Sequence, residues 1–154
     1  MWSIRPIQRK DVPYVQAIEN DSFPNPWDEE FFQILAAWHG IVNIQKSKRI
    51  CMLVGKEDDE IAGYIVWEED KQELQGHIMN LAVRKISRRK GLGKFLMEST
   101  LDMLQKQGFR TCMLEVRESN LAAHALYEKL GMTRKSVETD YYQEEDAIIY
   151  IIEL

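Results

Sequence analysis

Residues 84–94 read RKISRRKGLGK. Six of the eleven are basic (Arg84, Lys85, Arg88, Arg89, Lys90 and Lys94), and Gly91 and Gly93 fall among them. The segment follows the apolar run MNLAV and precedes a run with helical spacing. A helix N-terminus offers free N–H groups and the positive end of the helix dipole. Glycine lets the backbone come close to an anion. Together these make a phosphate cradle, with a solvated basic turn as the plain alternative. The spacing is neither G-x-x-x-x-G-K-S/T nor G-x-G-x-x-G, which disfavours a nucleoside triphosphatase or a dinucleotide-binding enzyme. Two more residues could do chemistry. Glu115 interrupts the apolar run CMLEV, so its carboxylate is partly buried, opens onto a cleft, or sits at the surface of a strand end. Tyr127 follows twelve residues later, on the inward stripe of a helix with Ala123 and Leu130; it is either a core aromatic or a hydroxyl aimed at a site.

The elements that must position these residues can be read from periodicity. Residues 2–6 form a short strand. Asp11 caps a helix with Pro13 in its first turn and Val12, Val15 and Ile18 on one face. The prolines of SFPNPW (22–27) demand a loop. Asp28 then caps a second helix with Phe31, Phe32, Leu35 and Trp38 inside. Residues 50–55, 61–69 and 74–83 read as an antiparallel meander joined by polar turns. Leu92, Phe95, Leu96, Ser99 and Met103 mark a helix that Gly108 ends. Residues 111–116 are a strand, 119–131 a capped helix closed by Gly131, and two further strands lie near 132–138 and 146–153. The step from MNLAV through the long helix to TCMLEV requires a parallel crossover. The expected fold is a mixed-sheet α/β (α+β) domain of about seven strands and four helices, with residues 1–154 as one domain.

The 154 residues carry 45% hydrophobic and 29% charged side chains, which supports a core without metal or disulfide staples. No apolar run is long enough for a transmembrane helix. The opening MWSIRPIQRKD has no apolar signal core, so a cytoplasmic location is expected, with no membrane partner. A net charge of −5 argues against nucleic acid as a partner. Glu19 and Asp21 could read a basic substrate residue, although a solvated helix face is the simpler expectation. Cys51 and Cys112 lie in apolar runs and read as buried thiols. His39, His77 and His124 lack metal-ligand spacing, and no metal is expected.

Arg88-x-x-Gly91-x-Gly93 after MNLAV resembles the acetyl-CoA signature of the GNAT superfamily of N-acetyltransferases. LEVRESNLAAHALYEKLGM (114–132) is similar to the second half of that signature. It is close to the form found in the RimI-type ribosomal-protein-alanine and other N-terminal acetyltransferases. IRPIQRKDVPYVQAIENDSFPNPW (4–27), the Tyr141–Tyr142 pair and EDAIIY (145–150) extend the resemblance over essentially the whole chain.

The resemblance implies a V-shaped splay between the MNLAV and CMLEV strands, with acetyl-CoA in it. Leu81, Ala82 and Val83 would contact the pantetheine and acetyl part through their backbone. Arg88, Arg89, Lys90, Gly91, Leu92, Gly93 and Lys94 would form the pyrophosphate loop, and Asn120 and Tyr127 would approach the thiol end. Glu115 would be the general base and Tyr127 the general acid in direct transfer of acetyl to an amine. Phe23 and Trp27 would wall one side of an acceptor slot, Tyr141 and Tyr142 the other. The implied acceptor is the α-amino group of a protein N-terminus, a ribosomal protein among the candidates. A small-amine or polyamine acetyltransferase and a non-catalytic CoA-binding module are the alternatives. Where the family often has Asp-Pro after the cofactor strand this chain has Arg84-Lys85, two charges that could meet the CoA 3′-phosphate. Oligomeric state stays open.

Overall fold

The computed structural model describes residues 1–142 and 144–154. The elements run β1 (Trp2–Pro6), α1 (Val12–Ser22), α2 (Glu29–Ala37), β2 (Ile41–Gln45), β3 (Lys48–Glu57), β4 (Glu60–Asp70), β5 (Gln75–Val83), α3 (Leu92–Lys106), β6 (Thr111–Arg117), α4 (Leu121–Lys129), β7 (Thr133–Tyr142) and β8 (Glu145–Glu153). All eight strands join one sheet in the order β1-β3-β4-β5-β6-β8-β7, with β2 paired to β3 beside β1. Every pairing is antiparallel except β5 with β6.

The burial patterns follow from which faces are covered. β3 and β4 are buried over consecutive residues because helices lie on both sides of them. One face carries α3 and α4, whose Leu92, Leu96, Met97, Leu104 and Tyr127 pack with Ile65, Trp67, Cys112 and Leu114. The other carries α1 and α2, where Val12, Val15, Ile18, Phe32 and Leu35 meet Tyr64, Val66 and Ala82. β6 alternates strictly, with Cys112, Leu114 and Val116 turned into the α3/α4 core. Met113, Glu115 and Arg117 therefore share the opposite face. Both cysteines are buried thiols, and burial pushes each up to about 12.

Four local expectations are corrected. Strand β2 brings the total to eight; its IVNIQ is mostly exposed and too short to show a period, and it forms because it pairs with β3. Trp38 is 66% exposed rather than inside, because α2 ends at Ala37 and the chain turns through His39 and Gly40, both at positive φ. Asp11 does not cap α1 with its side chain. It accepts Gln8 N–H at 2.8 Å and holds Arg5 through contacts of 2.6 and 2.9 Å, tying β1 to the start of the helix. Asp28 stands at the N-cap of α2 without a side-chain bond to it.

Candidate active site

The parallel join between β5 and β6 is short. Gln75 to Ile78 pair with Thr111 to Leu114, and there the ladder stops. Each strand continues, β5 held on its far side by β4 and β6 by β8. A bulge at Met79 marks the parting, since Val66 faces Asn80 while Trp67 faces Ile78; the extra residue bends β5 away from its neighbour. The result is a cleft of about 690 Å³ between the diverging strands. Strand edges that face each other without pairing leave backbone groups needing a partner.

Glu115 and Tyr127 reach this cleft from opposite faces of the sheet. Glu115 lies on β6 just past the last paired residue, on the face away from α3 and α4. Tyr127 comes from α4 on the other face. Its ring is buried, its hydroxyl pairs with no described residue, and it lines the cleft. Burial pushes the phenol well above its ordinary value, so it keeps its proton throughout the working range. Asn120 caps α4 by accepting Ala123 N–H at 3.2 Å and borders the same cleft.

Two walls flank Glu115. Phe23 and Trp27 stand on the loop after α1, with Trp27 packed on Phe31 at a centroid distance of 4.5 Å. Tyr141 and Tyr142 stand at the end of β7. Tyr141 donates to Glu115 Oε1 at 3.2 Å, and burial together with Glu115 pushes its hydroxyl up to about 12. The Arg117 guanidinium lies 4.1 Å over the Tyr142 ring and holds it in place.

The loop at the start of α3 fits a diphosphate. Gly91 precedes the helix at φ 95° and Arg89 stands at φ 61°, so the chain turns sharply there. No side chain caps the helix, and its first backbone bond is from Phe95 N–H to Gly91 O. The N–H groups of Leu92, Gly93 and Lys94 thus lack acceptors among the described residues, as an anion site requires. A Cβ at Gly93 would meet nothing nearer than 3.8 Å, so the protein's own packing does not demand glycine there, and the backbone is open to close approach by an anion.

The basic side chains divide in two. Arg88 donates to Val83 O at 2.7 Å and braces the loop against β5. Lys90 pairs with Glu57, Lys85 with Asp21, and Arg84 with Glu57 and Glu60. Arg84 and Lys85 thus have protein carboxylates as partners in the free chain, Lys85 through an exposed contact with Asp21. Arg89 and Lys94 make no ion pair among the described residues. Leu92 is a core side chain, and Leu81 and Val83 also pack toward α3 while Ala82 packs toward α1, so what these residues can offer a ligand is backbone.

Two residues of the cleft, Asn80 and His77, escaped the sequence reading, and a third, Glu19, was expected in a different setting. Glu19 is not on a solvated helix face. It is 1% exposed and accepts from the Tyr64 hydroxyl, from Asn80 Nδ2 at 2.9 Å and from Trp27 N–H at 2.9 Å. Asn80 lies on the splayed part of β5. His77 donates Nε2–H to both oxygens of Glu115, at 2.7 and 2.8 Å. No local pattern announces these contacts: apart from Trp27, eight residues from Glu19, the partners lie 38 to 61 residues apart in sequence. The one usable signal was the presence of polar residues in the otherwise apolar run GHIMNLAV. Among the described residues, no group of His, Cys, Asp and Glu is placed to hold a metal ion.

A mixed sheet that parts between two parallel strands, with a basic glycine loop at the mouth, is the architecture of an N-acetyltransferase. The chain belongs to the acetyltransferase (GNAT) family, whose model matches residues 12–132. It is 31% identical over 153 residues to the ribosomal protein bS18-alanine N-acetyltransferase of Escherichia coli K12, covering 97% of this chain and 95% of that one. A crystal structure of the E. coli ribosomal-protein-S18-alanine N-acetyltransferase superposes with a TM-score of 0.81 at 30% identity, covering 99% of this chain and 94% of that one. The fold is also shared with Arabidopsis thaliana NAA60 in complex with acetyl-CoA, with a TM-score of 0.82 at 19% identity, covering 100% and 99% of the two chains. The chain is an acetyl-CoA-dependent N-acetyltransferase. No helix is long and apolar enough to cross a membrane among the described residues.

Proposed function

We propose that this enzyme acetylates the α-amino group of a protein N-terminus, with a ribosomal protein as the acceptor. The observation that carries the reading is the cleft itself. A carboxylate and a buried phenol converge on it from opposite faces of the sheet, with aromatic residues from the loop after α1 and from the end of β7 lining it. The relatives named for ribosomal-protein alanine acetylation support the acceptor class.

Bound acetyl-CoA supplies the acetyl group as a thioester, open to attack by a neutral amine. The α3 N-terminus with Arg89 and Lys94 holds the diphosphate, and the splayed edges at Leu81–Val83 hold the pantetheine arm. An α-amino group has a pKa near 8, so the acceptor arrives largely protonated and needs only modest help to lose its proton. Glu115 takes that proton, directly or through one water. Tyr127 presents a protonated hydroxyl where negative charge collects as the thiol departs. With its pKa raised by burial, Tyr127 acts mainly as a hydrogen-bond donor to that charge, because full transfer to a thiolate of pKa about 8.5 runs uphill. Phe23, Trp27, Tyr141 and Tyr142 line the acceptor backbone and exclude water.

The test is thiol release from acetyl-CoA with short peptides beginning Ala, Ser, Met or Gly, alongside an N-terminally blocked lysine peptide and spermidine. Turnover confined to free N-termini supports the reading. Turnover on spermidine alone replaces it with a small-amine enzyme.

A further inference from the structure

We propose that His77 is a positioning residue for Glu115 and that the two side chains act as one proton-accepting unit. This rests on Glu115 serving as the carboxylate that accepts the acceptor's proton.

The geometry is specific. His77 and Met113 are register partners in the parallel pairing, and Glu115 lies two residues beyond Met113, on the same face. The imidazole Nε2 sits 2.7 Å from Oε1 and 2.8 Å from Oε2, so one N–H spans both oxygens. An ionised carboxylate only accepts hydrogen bonds, which fixes the proton on Nε2 and leaves Nδ1 as the position that gains or loses one. Tyr141 adds a second donor to Oε1. Oε2 has no other donor among the described residues, and it is the oxygen with room for an incoming ammonium or a water. Two donors from different strands hold one carboxylate in one rotamer, beside the point where the strands part.

The charged groups facing the imidazole are Glu115 from β6 and Glu68, its register partner on β4; Tyr141 from β7 reaches Glu115 instead. The hydrogen bond to Glu115 is the main reason that His77 holds its second proton above the ordinary histidine range. Below that titration the pair is imidazolium with carboxylate, net neutral and a weak acceptor. Above it, His77 is neutral, still donates through Nε2–H, and the pair carries one negative charge. The acceptor ammonium then gives one proton to Glu115, which passes it to water when the product leaves. Proton count and charge balance, and His77 never leaves its place.

Three variants test this. His77→Ala lowers kcat roughly 10- to 100-fold by freeing the carboxylate, with the KM for acetyl-CoA unchanged. His77→Gln, whose amide reaches Glu115 as Nε2 does but does not titrate, restores most of that loss at pH 8.5. Its activity relative to wild type also rises as the pH falls through the His77 titration, because only the amine ionisation is left on the acid limb. By NMR, His77 in Glu115→Gln titrates lower than in the wild type, a readout independent of turnover. Wild-type kcat in His77→Ala, or parallel pH profiles for His77→Gln and wild type, overturns the proposal. If Glu115→Gln itself keeps wild-type turnover, the role given to Glu115 fails first. If Glu115→Gln is slow while His77→Ala is not, only the role of His77 fails.

Discussion

A glutamate inside an apolar strand has to be explained by what faces it, and Glu115 faces an imidazole, a phenol and open cleft. Replacing it with Gln keeps the shape and two polar atoms but removes the proton acceptor. We expect Glu115→Gln to lower kcat by about 10²-fold, with acetyl-CoA affinity little changed, measured by steady-state thiol release and calorimetry. Tyr127→Phe removes one hydroxyl that has no partner among the described residues, so the fold should lose little stability. Its kcat should drop by a modest factor, about tenfold, since a thiolate leaves without much assistance; wild-type rates would return Tyr127 to a packing role. The sequence singled out both residues, Glu115 by its contrast with CMLEV and Tyr127 by its helical stripe, while the roles proposed for them came from the family resemblance. His77 was not: in sequence it is one polar residue in a strand, and its meaning comes from a register that only the parallel pairing of β5 and β6 creates.

At the scale of elements, the loop between α1 and α2 is held by a side chain rather than by secondary structure. Glu19 gathers Tyr64 from β4, Asn80 from β5 and the Trp27 backbone onto one buried carboxylate. Glu19→Ala strands three donors, each costing about 1–3 kcal/mol if it finds no other acceptor. We expect a loss of at least about 3 kcal/mol in denaturant unfolding, with a higher KM for peptide and an unchanged KM for acetyl-CoA. An unchanged peptide KM would mean the loop keeps its shape without Glu19. The long elements were readable because their periods are strong: the β3–β4–β5 meander and α3 stand close to where apolar spacing put them. β2 and the end of α2 were not, because a short exposed strand has no period and Trp38 continued the helical stripe in sequence while the backbone had already turned. Asp11 and Asp28 carry the capping residue type, yet Asp11 is claimed by Arg5 of a neighbouring strand, a competition that no local rule contains.

Across the whole molecule, the part from β1 to β5 and the part from β6 to β8 meet through only four residue pairs of sheet, supplemented by the core under α3 and α4. The remaining edges diverge. In the binding mode proposed above, a pantetheine arm lying between them would replace missing rungs and make acetyl-CoA a structural member as well as a reactant. A ligand that binds only the folded state stabilises it by about 2.7 kcal/mol at one hundred times its Kd, which is several degrees in Tm for a chain of this size. Thermal melts with and without CoA measure this, and an unchanged Tm at saturation would deny the cofactor its bridging role. Amide exchange should locate the effect, with Met79–Val83 and Glu115–Arg117 slowing most on binding. On this reading the open wedge in the sheet would couple the enzyme's survival to its own feedstock: with acetyl-CoA scarce, the population of partly opened chains would grow, and proteases and chaperones would meet more of them.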